Sequence, residues 1–303
     1  MALAITVIGA AGAAFIAGFF WRDVVIGMAA LRWANERPVS RRALLTGYCT
    51  SVTSTPAARV TLAAASLTVL IAAIAPANDH DAAIRLTCVG CLALVVLGTT
   101  ARTWPNAKRL STGEIASGAE SRAVRELTVY QSVGTSFMLA VVALLAITAG
   151  RDDALEVIAG AGAAFLAATL WNEVLIDGPF AVEADAMSAA DRSTLLGYYA
   201  AMTAVAARPN LAAVFLAIAT TTSMFAAQAA EGIPGYTLLL SVVLFAVFLT
   251  LASTVTWPAA ARLGGGQYPA AQYRTVSRRL GRFHLLFVIM LMSVAALQAF
   301  GVS

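Results

Sequence analysis

Two stretches of this chain put polar chemistry where a lipid bilayer is expected: AAFIAGFFWRDVVIG at residues 13–27 and AAFLAATLWNEVLIDG at residues 163–178. Arg22 and Asp23 stand inside the first. Asn172 and Glu173 hold the same slots in the second, and Asp177 follows four residues later. A carboxyl group within the hydrocarbon layer costs about 2.5–3.5 kcal/mol on insertion scales, so it is expected to face a bundle interior and have a partner. The spacing of Glu173 and Asp177 puts both on one helical face. Carboxyls that close oppose each other's ionisation, which can keep one of them protonated near neutrality. A protonated acid in an apolar cavity can act as a general acid, passing its proton to a bound substrate. An ionised acid paired with a guanidinium instead pins helix register. Arg22, Arg59 and Arg208 are the expected charge partners, and Asp23–Arg59 is the first choice for a fixed pair. Glu173 is the better candidate for proton transfer, because Asp177 shares its face and Gly27 stands at the equivalent place in the first stretch.

Such residues must be carried by helices that cross a membrane. Of 303 residues, 60% are hydrophobic and 12% charged, with a mean hydropathy of +0.80. That balance excludes an ordinary soluble domain and predicts an all-α integral membrane protein. Apolar segments fall at 3–31, 43–75, 84–104, 123–149, 155–180, 194–229, 236–257 and 281–301. Each reaches the ~20 residues that a crossing helix needs. No secretory signal is expected, since the first apolar run is too long and has no basic flank. Two histidines (His80, His284) and three cysteines (Cys49, Cys88, Cys91) are too few for a haem pair, a di-iron centre or a multi-histidine copper site. Neither a metal nor a cofactor is expected. Cys88-x-x-Cys91 has no counterpart in the second half and reads as a small buried pair rather than a redox motif.

The halves repeat. AGAAFIAGFFWRDVVI and AGAAFLAATLWNEVLI align at an offset of 150, GYCTSVTSTPAAR aligns with GYYAAMTAVAARP, and TARTWPNAKRL matches TVTWPAAARL. Two domains of four helices follow, residues 1–150 and 151–303, and four spans per copy predict a parallel repeat with pseudo-twofold symmetry. Arginines and lysines gather after spans one, three and seven, which predicts cytoplasmic basic loops and both termini outside. In that topology Trp21, Tyr48, Trp104, Gln131, Trp171, Asn172, Tyr198, Tyr199, Trp257 and His284 converge with the acids on the cytoplasmic half of the bundle. Trp and Tyr near helix ends are also the residues of an interfacial belt.

Each half resembles the small four-helix membrane proteins grouped with the anthrone oxygenases. The resemblance rests on GFFWRDVVIGMAAL in the first helix and on TWPNAKRL and TWPAAARL after the third. The Asn-His-x-x-Arg-like part of that family is YQSVGT in one half and FHLLFV in the other. In size, helix count and scarcity of metal ligands the whole chain also resembles bacterial membrane terpene cyclases of the drimentine and xiamycin type. That resemblance implies intramembrane carboxylic acids that protonate an alkene or epoxide, here Asp23, Glu173 and Asp177.

The expectation is therefore a metal-free membrane cyclase acting on a prenylated or isoprenoid substrate. Its partners would be a lipophilic small molecule and the bilayer, with no nucleic acid. One alternative is a cofactor-free oxygenase in which His284 or a carboxylate deprotonates a phenolic substrate. Another is a proton-coupled transporter or lipid-binding protein, with Asp23 and Glu173 as proton carriers and Arg59 or Arg208 holding an anion.

Overall fold

The computed structural model describes residues 2–36, 38–75, 79–116, 118–182, 189–203, 208–232 and 235–301, and every regular element among them is helical. In chain order they are α1 (Ala2–Glu36), α2 (Pro38–Ser54), α3 (Pro56–Ile74) and α4 (Asp79–Gly98), which runs through a π-turn (Thr99–Thr103) into α5 (Trp104–Ser111). Then come α6 (Glu120–Val182), α7 (Ala189–Thr203), α8 (Arg208–Ala230) and α9 (Tyr236–Leu251). A second π-turn (Ala252–Thr256) leads into α10 (Trp257–Gly264), and α11 (Tyr273–Phe300) closes the described chain. Eight helical stretches among the described residues are long and apolar enough to cross a membrane, as expected.

One of the expected segments, 43–75, is divided. Thr55 has extended backbone (φ −80°, ψ 117°) and Pro56 opens α3. The residue before a proline is driven out of the helical region, and a proline lacking an N–H is well placed to start the next helix. Arg59 consequently sits in the first turn of α3 and not at mid-span. In the second half α7 is described to Thr203 and α8 from Arg208, and residues 204–207 lie outside the described residues. The crossings are made by α3 and α8, while the short helices α2 and α7 pack on each other at one end of the bundle. Their approach is close: a Cβ on Gly47 would overlap the Thr194 side chain, and Thr194 Oγ1 donates to the Ala43 carbonyl at 3.3 Å. The basic loop at Arg37 and the acidic stretch at 183–188 lie outside the described residues.

Gly150 (φ 81°, ψ 174°) breaks α6 into two crossing arms, Glu120–Gly150 and Asp153–Asp177. Only glycine enters that backbone region without strain. The second arm and α1 form the buried centre. Their contact is built from small residues: Ala10, Ala13, Ala14, Ala17 and Gly18 on α1, and Ala163, Ala164, Ala167 and Ala168 on the arm. Lipid tails are as apolar as leucine, so helices associate in a membrane through such close backbone approach. Around this pair, α3, α4, α8 and α9 turn Leu67, Leu94, Phe215 and Leu239 outward, as helices facing lipid do. The protein is a multi-pass membrane protein.

A Cβ at Gly18 would lie 2.5 Å from the Phe165 carbonyl oxygen and 3.0 Å from Ala168 Cβ, whereas a Cβ at Gly90 meets nothing within 4 Å. Gly18→Ala is therefore expected to destabilise by about 1–3 kcal/mol by forcing α1 off α6, while Gly90→Ala does not. Thermal unfolding in detergent micelles compares the two; equal melting would show that the close approach carries no stability.

Candidate functional site

Adjacent residues on a helix point about 100° apart, so Arg22 and Asp23 address different neighbours. Arg22 faces the second arm of α6. Its Nη2 donates to Glu173 Oε1, and its Nε and Nη2 donate to the Thr169 carbonyl at 3.3 and 3.1 Å. Asp23 faces the other way, toward α2 and the first arm of α6. Its Oδ1 accepts from the Tyr48 hydroxyl and its Oδ2 from the Gln131 amide nitrogen. All five side chains are buried.

This reverses the expected pairing. Glu173, the first choice for proton transfer, is the acid held by a guanidinium. Asp23, the first choice for a fixed ion pair, has no ion pair among the described residues and is gripped by two neutral donors. Arg59 is elsewhere: its Nη2 donates to the Thr53 carbonyl at 2.9 Å and its guanidinium lies 5.0 Å from the centre of the Trp104 ring. The helix break at Thr55–Pro56 accounts for the displacement. The Arg208 side chain lies outside the described residues.

The remaining acid is engaged separately. Asp177, fully buried, accepts from Tyr199 Oη and Ser277 Oγ at 2.7 Å each, and its Oδ2 lies 3.2 Å from His284 Nδ1. Gly281 lets α11 come this near, since a Cβ there would stand 3.0 Å from Asp177 Cβ. Glu173 and Asp177 share a helix face, yet α1 takes one and α7 with α11 take the other. Between the two acid centres the rings of Tyr48 and Tyr198 stack at 6.1 Å, and Tyr199 meets Tyr198 edge-on at 5.5 Å. The Tyr198 hydroxyl and Glu173 Oε2 are both buried. Asn172 donates to the Phe19 and Ala168 carbonyls at 3.4 and 3.5 Å. Trp21 and Trp171 are partly buried with unpartnered indole N–H groups. Trp257 departs from the expected cluster: it is 43% exposed, because α10 opens with its ring on the bundle surface.

Asp23 is the acid that meets open space. With Tyr48, Gln131, Phe19, Phe20 and Trp104 it lines a cavity of about 50 Å³. Two larger concavities flank this chamber. One of about 370 Å³ carries Arg59, Leu62, Thr99 and Trp104; another of about 190 Å³ carries Val95, Thr103, Tyr130 and Gln131. Phe20 and Thr99 belong to the walls of all three. The π-turn that begins at Thr99 thus lies where the three spaces meet, and such local widenings of a helix recur at functional sites. A fourth, apolar groove of about 380 Å³ runs between α1, α3 and α11 and includes Trp171. Neither Glu173 nor Asp177 lines any of these four.

Three residues of this region escaped the sequence reading. Ser277 lies in RTVSRR, taken for a loop ahead of the last span, but α11 begins at Tyr273. Thr99 carries no signal beyond its place in an apolar run, and Phe20 none beyond its place in GFFWRDVVIGMAAL. Among the described residues, no group of three or more His, Cys, Asp or Glu side chains could hold a metal ion. No protein-family model, curated protein or solved structure matches this chain.

Removing one partner of a buried ion pair leaves a bare charge, at a cost of about 3–5 kcal/mol, whereas replacing both with apolar residues is close to neutral. Glu173→Gln is expected to lower the melting temperature strongly, and Arg22→Met combined with Glu173→Met to recover most of the loss. A double variant no more stable than Glu173→Gln alone would show that the pair is not what the centre depends on.

Proposed function

We propose that this protein is a membrane enzyme whose Asp23 carboxyl protonates an alkene or epoxide of an isoprenoid-type lipophile, which then cyclises without change of mass. The observation that carries the reading is the setting of Asp23: a buried carboxyl, free of any ion pair among the described residues, in the wall of a cavity lined by aromatic rings. Of the three intramembrane acids it is the one that lines a wall of the four concavities described above.

The chemistry balances on this one group. The Asp23 proton passes to a terminal alkene carbon or an epoxide oxygen, and Tyr48 and Gln131 hydrogen-bond the carboxylate left behind. The cation is attacked by a π pair of the same chain, forming a carbon–carbon bond. A C–H next to the final cation returns its proton to Asp23, leaving a new double bond. Trp104, Tyr48, Phe19 and Phe20 present the π faces that stabilise positive charge, and the apolar walls keep out water that would trap it. A volume of 50 Å³ is far below the roughly 300–1,000 Å³ of ligand pockets. In this reading the chamber receives the reacting end and the flanking concavities receive the chain. The basic connections after spans one, three and seven would lie in the cytoplasm by the positive-inside rule, with both termini outside. The chain's division into tandem halves at about residue 150 belongs to the same reading.

A second reading draws on the other acid centre. Asp177 beside His284 Nδ1 is a carboxylate-oriented imidazole, an arrangement suited to removing a proton from a phenolic substrate before it meets oxygen.

Incubation of the purified protein with polyprenyl alkenes, their terminal epoxides and prenylated phenols, followed by mass spectrometry, separates these readings. An isomer of unchanged mass is expected, with a rate lower by ~10²-fold or more in Asp23→Asn. Wild-type turnover in that variant would remove Asp23 from the chemistry. A product heavier by oxygen, lost in His284→Gln, would support the second reading.

A further inference from the structure

We infer that the 370 Å³ groove beside the Asp23 chamber binds a single-chain amphiphile with an anionic head, its carboxylate or phosphate on Arg59 and its chain directed toward Phe20. The link to catalysis rests on the proton-transfer reading above; the binding itself does not.

Arg59 is the starting point. It is exposed, it lies in the first turn of a membrane-crossing helix, and it has no ion pair among the described residues. A guanidinium in the first turn of a crossing helix is answered by water, by lipid headgroups or by a bound anion. Only Nη2 is engaged, with the Thr53 carbonyl, so most of the five N–H donors of the fork remain for a carboxylate or phosphate. Stacking over Trp104 at 5.0 Å holds the guanidinium plane in place. Thr99 and Thr100 of the π-turn line the same groove.

Below this head site the walls turn apolar. Ile16, Phe20, Leu62, Ala63, Val95 and Val96 supply a surface suited to hydrocarbon. Four residues, Phe20, Leu62, Thr99 and Trp104, line both this groove and the acid chamber. A chain anchored by its head at Arg59 therefore runs toward Phe20, and displacement of that ring joins the two spaces. Anchoring at a distance from the reacting end positions it without touching the chemistry. One chain is favoured over two, because a phospholipid's second chain would have to share a groove of this size.

The test uses the full-length protein in phosphatidylcholine bilayers and chain-labelled nitroxide probes. Four probes share one C18 chain and differ in head: carboxylate, phosphate monoester, alcohol and phosphocholine. Electron spin resonance reads the immobilised fraction of each. The two anionic probes are expected to bind roughly tenfold more tightly than the alcohol, the scale of one charge-assisted fork contact. Arg59→Gln should remove that preference and Arg59→Lys should keep part of it. Asp23→Asn should leave it intact while abolishing turnover, so failure of the acid reading and failure of this one are separable. Equal immobilisation of all four heads by the wild-type protein overturns the inference, and needs no variant to fold. So does a preference that survives Arg59→Gln, or one displaced by phosphatidylglycerol as readily as by the single-chain acids, which would mark an annular lipid contact.

Discussion

Opposite charges on neighbouring residues of one helix do not neutralise each other, because the helix turns them to different sides. That constraint organises the centre of this protein. α1 carries Arg22 and Asp23 into the most buried part of the bundle, and each must be satisfied by a different neighbour. Arg22 finds a carboxylate on the second arm of α6, together with a backbone carbonyl one turn earlier. Asp23 turns away from that arm and is left with a phenol and an amide. One acid is held by a guanidinium and the other by two neutral donors, and the direction of a single helix decides which.

The same geometry places the open volume. The centre between α1 and the second arm is closed by alanine and glycine, so little space can exist there. Space opens on the opposite flank of α1, where α4 loosens into a π-turn and bulky Phe20 and Trp104 hold helices apart. Tight packing against the second arm of α6 and open volume toward α4 thus lie on different flanks of α1, and the apolar groove lies between α1, α3 and α11. The stacked Tyr48 and Tyr198 connect these environments, since α2 and α7 bring their rings together over the end of the bundle.

Much of this was legible in the residues. Eight crossings follow from apolar length, and the gathering of Asp23, Tyr48, Trp104 and Gln131 about one cavity follows from matching depths along the helices. The partners of each charge were not legible. Depth along a helix is readable from residue counting, whereas azimuth needs the packing of neighbours, and pairing depends on azimuth. Pro56 was visible in the sequence, and its effect on Arg59 could have been argued from the missing N–H alone. Ser277 was hidden because basic residues around it pointed to a loop while α11 in fact extends through them. The outward turn of Trp257 had no signal, because Trp104 opens a helix with the same Trp-Pro pair and faces a cavity.

The arginine and the carboxylate that answers it are 151 residues apart along the chain. At the ~5–20 residues per second of protein synthesis, α1 leaves the ribosome roughly 8–30 seconds before its counterpart. Throughout that interval the first helix has no finished home in the lipid. The insertion machinery must shelter it, or a provisional arrangement must hold it, until the later helix arrives. Biogenesis, and not only the folded state, then sets how polar the opening helix of such a protein can be.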